Sequence, residues 1–298
     1  MKTTLHRVVT PDKLRLDGLL FEPKQKSRRA VLHIHGMAGN FYENEFVDAM
    51  AQQYTAAGYA FLTGNTRGHD LIADFRIVGP KERYKRIGNS RERFEDCILD
   101  IKAWLKLLKR QGYTEIVLQG HSLGCSKVAY FLSKVAAPEV KALILASPSD
   151  MVGLGRVGKE LKNYRRNSAI AKRMIAQGRG SEFLPKPVWG WYHLSARTYL
   201  NFTTEGGAID VFSILNHKRA SFKVLKNLRL PIFAFFGGGK AEEASILPKE
   251  QALKILKSKA TAVLRFDYAV IGKASHCYIG YERALAGRVV RWLKSLKF

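Results

Sequence analysis

Three cysteines in 298 residues, Cys97, Cys125 and Cys277, stand far apart and form no C-x-x-C pair. An odd, scattered set argues against a disulfide scaffold or a zinc cluster, and it leads us to expect a reducing, cytoplasmic setting. Long apolar runs are missing too. No stretch approaches the roughly 20 apolar residues of a membrane helix. The opening Met1-Lys2-Thr3-Thr4-Leu5-His6-Arg7 leads into no apolar leader core, so no secretory signal is expected. Gly237-Gly238-Gly239 follows an apolar run but has neither the Walker lysine spacing nor a dinucleotide fingerprint there, so no cofactor is expected, and no metal either. Internal repeats and low-complexity tracts are not seen.

Acidic residues are also scarce: 25 Asp and Glu face 50 Lys and Arg, a formal charge of +25. Such a field attracts anions in general. The basic residues are spread along the whole chain with no zinc-finger, RNP or KH pattern, so a specific nucleic-acid partner is not expected. Hydrophobic residues make up 46% of the chain, enough for one large α/β domain with an insertion or for two modest domains.

What is present is a run of turns that follow apolar stretches. Arg29 to Ile34 reads as a buried strand ending in His35-Gly36-Met37-Ala38-Gly39-Asn40. A helical stretch from about residue 43 to 57 leads to a strand at 59–63, which closes in Asn65-Thr66-Arg67-Gly68-His69-Asp70. Residues 91–110 carry Phe94, Ile98, Ile101, Trp104, Leu105 and Leu108 at three- and four-residue steps, the pattern of an amphipathic helix. Further strands are expected at 142–146, 231–236 and 262–266, and a closing helix at about 280–296. Strand alternating with helix implies a parallel sheet.

The most informative turn is Gly120-His121-Ser122-Leu123-Gly124, between the apolar run Ile116-Val117-Leu118 and the helix-like stretch Cys125 to Leu132. This is the G-x-S-x-G nucleophile elbow, in which side chains two residues either side of the serine would collide with neighbouring chain. Cys125, just inside that helix, is expected in the core.

This order of turns resembles the α/β-hydrolase superfamily, from about residue 28 to the end of the chain. The phrases HGMAGN, NTRGHD and GHSLG are similar to its esterase and serine aminopeptidase-like branches, and to a group containing siderophore esterases. The resemblance implies a core domain of residues 1–150 and 226–298 with a mainly helical cap at 151–225. That segment gathers Trp189, Trp191, Tyr192, Tyr199 and Phe202, read as one aromatic cluster. It also implies the order nucleophile, acid, histidine. Ser122 is then the nucleophile and His276, after the last expected strand, its base; His193 and His217 fall in the cap.

The acid departs from the pattern. Lys240 stands where an aspartate is expected, which leaves Glu242 as first choice and Glu243 or Asp150 as alternatives. The backbone N–H groups of Leu123 and Met37 would form the oxyanion hole. His35 reads either as an imidazole that fixes its loop or as a participant in the chemistry. The Arg67-Gly68-His69 loop reads as packing beside the site, and Asp96 and Asp100 as a solvent face of their helix.

The function this implies is a cofactor-independent serine hydrolase that cleaves a small-molecule carboxylic ester through an acyl-enzyme. Residues 151–230 hold 15 Lys or Arg against 4 Asp or Glu, which suggests an anionic or polar-headed ester, and the aromatics beside those charges suggest a ring or acyl chain in the pocket, so an anionic or aromatic ester is expected. A peptidase, lactonase or thioesterase of the same fold, a non-catalytic ligand-binding member, and a charge-driven anion or RNA binder are the alternatives.

Overall fold

Parallel strands covered on both faces read as unbroken apolar runs. In the computed structural model, which describes residues 1–296, those runs form the centre of one sheet. The strands are β1 (Lys2–Val9), β2 (Arg15–Glu22), β3 (Arg29–Ile34), β4 (Ala60–Gly64), β5 (Asp74–Ile77), β6 (Arg83–Arg86), β7 (Glu115–His121), β8 (Val140–Ala146), β9 (Ile232–Gly237) and β10 (Phe266–Ile271). Eight of them pair in the order β1-β2-β4-β3-β7-β8-β9-β10, while β5 and β6 form a separate ribbon. Strand β2 runs antiparallel to both its neighbours, and every pair from β4 to β10 is parallel.

The helices are α1 (Glu45–Ala56), α2 (Cys97–Arg110), α3 (Leu123–Lys134), α4 (Met151–Leu154), α5 (Lys159–Ala176), α6 (Ala196–Thr203), α7 (Lys223–Lys226), α8 (Lys249–Lys259) and α9 (Glu282–Lys294). Alternate residues of each central strand feed opposite faces. Leu32, Leu118 and Leu143 meet Trp104 of α2 and Val128 of α3 in one cluster. Val31, Val117 and Ile144 meet Met50 of α1 and Val289 of α9 in the other. None of the described helices is long and apolar enough to cross a membrane.

One expected strand is displaced. Residues 262–264 are not in a strand, and Leu264 is 89% exposed. Pairing with β9 starts instead at Phe266 opposite Ile232. As the edge of the sheet, β10 tolerates Asp267 and Tyr268, whose polarity hid it in the sequence. Strands β1 and β2 and the ribbon β5–β6 lie in stretches where no strand was expected.

The parallel strands all end at the same edge of the sheet. The turns after β3, β4, β7, β8, β9 and β10 therefore converge there, where open α/β sheets place their ligands.

Candidate active site

Strand β7 ends at His121 and α3 begins at Leu123, so Ser122 alone makes the turn. Its backbone sits at φ 54°, ψ −122°, a conformation that costs a non-glycine residue about 1–3 kcal/mol. A methyl on Gly120 would lie 2.4 Å from the Cys125 nitrogen, and one on Gly124 would lie 2.2 Å from the Ile34 carbonyl oxygen. That closeness is why both positions are glycine. The turn is held where Ser122 N–H donates to the Ala146 carbonyl at 2.8 Å and Cys125 N–H to the Ser122 carbonyl at 2.9 Å. Cys125 itself is fully buried.

The loop after β9 turns Lys240 and Glu242 in opposite directions. A methyl on Gly238 would lie 1.9 Å from the Gly272 carbonyl oxygen, so the glycine run lets this loop lie directly on the loop after β10. Gly239 N–H donates to Ala274 at 2.9 Å, and His276 N–H donates to Ala241 at 3.1 Å. Lys240 is left exposed, and Glu242 turns inward to 3% exposure.

The Glu242 carboxylate is fully engaged. Its Oε1 lies 2.8 Å from His276 Nδ1 and accepts from Ala244 N–H at 3.1 Å. Its Oε2 accepts from Gly237 N–H at 3.0 Å and from the Ser147 hydroxyl at 2.5 Å. Ser147 is backed in turn by the Tyr278 hydroxyl at 2.6 Å. Burial pushes this carboxyl up, but the bonds from His276, Ser147 and Gly237 outweigh it and hold the group below its ordinary value.

The other two candidate acids lie elsewhere. Glu243 is exposed, on the wall of the cavity described next. Asp150 accepts from Gly153 N–H at 2.7 Å and Leu215 N–H at 2.8 Å, capping α4.

A cavity of about 1020 Å³ opens over these loops, and Met37, Ser122, Ser149 and His276 are among the residues lining it. Gly36 is tight against the serine: a methyl there would sit 3.0 Å from Ser122 Cβ. The Ser122 hydroxyl has Ser149 Oγ as its partner at 3.3 Å, and no hydrogen bond joins it to His276 among the described residues. Leu123 is buried, and as the first residue of α3 its N–H has no intrahelical partner. His193 and His217 do not line the cavity.

His121 was not singled out by sequence. Its Nε2 is 2.9 Å from the His276 carbonyl oxygen, and the two rings lie 4.7 Å apart. Burial, with the neighbouring His276, pushes its pKa well down, so it is neutral and donates that bond.

A family whose description is "Protein of unknown function (DUF1749)" has a model that matches residues 86–290. The chain belongs to this family. DUF1749 is α/β-hydrolase-like. No curated protein matches the sequence. Among solved structures, the chain is similar to the siderophore hydrolase EstB from Aspergillus fumigatus, with a TM-score of 0.70 at 16% identity over 100% of this chain and 98% of that one. It is similar to Est1E from Butyrivibrio proteoclasticus with ferulic acid bound, with a TM-score of 0.65 at 17% identity over 96% of this chain and 97% of that one. It is also similar to the Pyrococcus furiosus esterase Pf2001, with a TM-score of 0.62 at 15% identity over 98% of this chain and 90% of that one. These likenesses establish the α/β-hydrolase fold.

In this DUF1749 member the loop after β3 is tied from behind. His35 Nε2 accepts from Thr66 N–H at 3.0 Å and its Nδ1 faces the Gly36 carbonyl at 2.8 Å, so both ring nitrogens are spent on holding loops together. Arg67, 2% exposed, reaches Asp100 at 2.8 Å, Asp12 at 2.9 Å and Asp96 at 3.2 Å. This corrects the expected solvent role of the two helix aspartates: Asp100 is fully buried as the partner of a buried guanidinium, and Asp96 is its outer neighbour.

Two further expectations change, and one glycine spacing joins them. The aromatic cluster divides: Trp189, Trp191 and Tyr192 line the cavity, whereas Tyr199 and Phe202 are buried in the core. The described basic residues of 151–230 are not on the cavity wall. Among the described residues no Lys or Arg lines it, while Glu43, Glu160 and Glu243 do. Helix α5 instead turns Lys162, Arg165, Arg166, Lys172 and Arg173 to solvent, and a residue count cannot see which way a face points. Finally, Gly153, Gly155 and Gly158 have G-x-G-x-x-G spacing, overlooked in the sequence. They lie within and after α4 rather than in a strand-to-helix turn, so the spacing has no nucleotide-binding context here.

Proposed function

We propose that the protein is a serine hydrolase that cleaves a carboxylic ester through an acyl-enzyme at Ser122. The observation that carries this is the pairing of His276 with the buried Glu242 in the cavity onto which the strained Ser122 opens. Met37 N–H has no hydrogen-bond partner among the described residues, and together with the free N–H of Leu123 it supplies two donors beside the serine.

In this reading the Ser122 hydroxyl turns from Ser149 to His276, gives its proton to Nε2, and attacks the ester carbonyl carbon. The oxygen becomes an oxyanion held by the Met37 and Leu123 N–H groups, each worth about 10²–10³ in rate. Collapse breaks the C–O bond, and His276 returns the proton to the leaving alcohol. Water, deprotonated by His276, attacks the acyl-Ser122 carbonyl, and a second collapse frees the acid and restores the serine. Glu242 fixes the His276 ring and stabilises its charged form. Residues 151–225 act as the cap, since Met151, Leu154, Trp189, Trp191 and Tyr192 of that segment wall the cavity. Its apolar and aromatic surface suits an acyl chain or ring.

The test is hydrolysis of p-nitrophenyl esters of increasing chain length, with fluorophosphonate labelling followed by peptide mass analysis. The expected result is label on Ser122 and loss of turnover in Ser122→Ala and His276→Ala. Label elsewhere, or undiminished turnover in folded Ser122→Ala, overturns the reading.

A further inference from the structure

We propose that the ester accepted by this site carries a positively charged ammonium group, held in the cap end of the cavity between carboxylates and aromatic rings. The proposal rests on the hydrolase reading above and adds the charge of the substrate.

Three separate segments each bring a carboxylate to the cavity wall: Glu43 from the loop after β3, Glu160 from the first turn of α5, and Glu243 from the loop after β9. None of the three forms an ion pair with a described Lys or Arg, although the chain has a basic residue to spare for every acidic one. Among the described residues, then, no basic side chain neutralises their charge. The groups around them register it. Burial, and then Glu43 and Glu243, push the Tyr192 hydroxyl up to about 12. Burial, and then Glu43, Glu242 and Glu243, raise the Cys277 thiol. Burial and the nearby Asp70 raise Glu43 itself. Burial, the larger cause at all three groups, disfavours a charge of either sign; the carboxylate contributions that come after it are the part that favours a positive ligand.

The aromatic part is built rather than incidental. Val188 and Tyr192 exchange both backbone hydrogen bonds, at 2.8 and 3.0 Å, around a tight turn with Trp189 at φ 50° and Gly190 at φ 91°. This turn presents Trp189 and Trp191 to the cavity and lays Trp191 against Tyr192, with ring centroids 4.0 Å apart. Trp191 remains 56% exposed, a large ring left uncovered at the mouth. Aromatic faces next to carboxylates are the chemistry that recognises ammonium and quaternary ammonium groups. The basic exterior does not cancel this. At physiological ionic strength charges more than about 8 Å apart across solvent are largely screened, so the groups in contact with the ligand set the sign.

Three p-nitrophenyl esters of matched length test the proposal: one ending in trimethylammonium, one in the neutral tert-butyl isostere, one in a carboxylate. A cation–π contact and a set of carboxylates each worth a few-fold multiply to about tenfold in kcat/KM for the cation over the neutral isostere. The carboxylate ester should be poorest. The preference should fall toward unity in a Glu43→Gln/Glu160→Gln/Glu243→Gln variant and in Trp191→Leu. Cleavage of the cationic and neutral esters at equal rates overturns the proposal and leaves the hydrolase reading standing. If no ester is cleaved the hydrolase reading fails, and the charge preference is then read from quenching of tryptophan fluorescence by hexyltrimethylammonium against hexanesulfonate. Saturable binding of the cation alone supports it, and equal or anion-favoured binding overturns it.

Discussion

Replacing Glu242 by glutamine separates its role as an orienting charge from its role as a buried structural acceptor. Each carboxylate oxygen accepts from a backbone N–H, Ala244 on Oε1 and Gly237 on Oε2. Whichever way the new amide is turned, its NH₂ faces one of these donors, and one buried N–H loses its acceptor. That costs about 1–3 kcal/mol, which lowers Tm by roughly 2–4 °C per kcal/mol in a protein of this size. The catalytic loss is larger. With the NH₂ toward Nδ1, His276 is driven to the tautomer protonated on Nε2, which cannot take the Ser122 proton. In the other orientation the ring keeps its place but loses the negative charge that stabilises its protonated form. By analogy with triads whose acid is neutralised, kcat/KM should fall by about 10³–10⁴.

The assay is p-nitrophenyl butyrate turnover beside a thermal melt, with Glu243→Gln as comparison. A folded Glu242→Gln enzyme within threefold of wild type, or an equal loss in Glu243→Gln, would refute the assignment. The pH response carries the same signature. Because the folded-state pKa of Glu242 is depressed, its contribution to stability is present above its unfolded value near 4.5 and is lost only as pH falls through the lower folded value. Any acid limb of activity above pH 5 therefore reports a group other than Glu242.

Lys127 and Glu92 form an ion pair at 2.8 Å with side chains 0% and 1% exposed, so Lys127→Met, which strands a buried carboxylate, should cost about 3–5 kcal/mol in urea unfolding. The double variant with Glu92→Gln should recover more than half of that, and no recovery would show that lysine packing rather than charge is at stake. Asp150 is pushed up to about 6 by burial from a model-compound value of 3.8, so the folded state binds its proton more tightly than the unfolded chain. Its stabilising protonation is lost as pH rises from about 4 to 6, a change of about 3 kcal/mol, and the slope of stability with pH over that range should flatten in Asp150→Asn. In Gly238→Ala the added methyl meets the Gly272 carbonyl at 1.9 Å. The two loops must part, and ester turnover should fall at least tenfold, on the order of a small misplacement of catalytic groups, with circular dichroism unchanged.

The parallel sheet was legible because every central strand is an apolar run covered on both faces, and the elbow because glycine is forced at 120 and 124 by contacts under 2.5 Å. Strand β10 was not legible, since an edge strand needs only one apolar face. The carboxylate beside His276 was only half legible. Sequence spacing located the loop but could not show that three glycines would press it onto the loop after β10, which brings Glu242 rather than residue 240 against the His276 ring. The basic surplus of 151–230 was no guide to the cavity wall, because composition counts residues while α5 sorts them by face.

His121 and the buried Lys127 gave no signal of their own, yet with Arg67, whose loop the sequence did mark as packing beside the site, they make the three loop phrases one object. Lys127 Nζ reaches Thr66 Oγ1 at 3.3 Å, Thr66 holds His35, and His35 precedes the Gly36 that touches Ser122. His121, next to the serine, holds the carbonyl of His276. A buried charge is an expensive way to hold a helix to a loop, because desolvation offsets most of its attraction. It is also directional, and a shift of about 1 Å between nucleophile, base and oxyanion donors can cost about a hundredfold in rate. The ionic ties behind the elbow are therefore best understood as fixing distances in the cavity, and their removal should lower turnover before it lowers ligand binding.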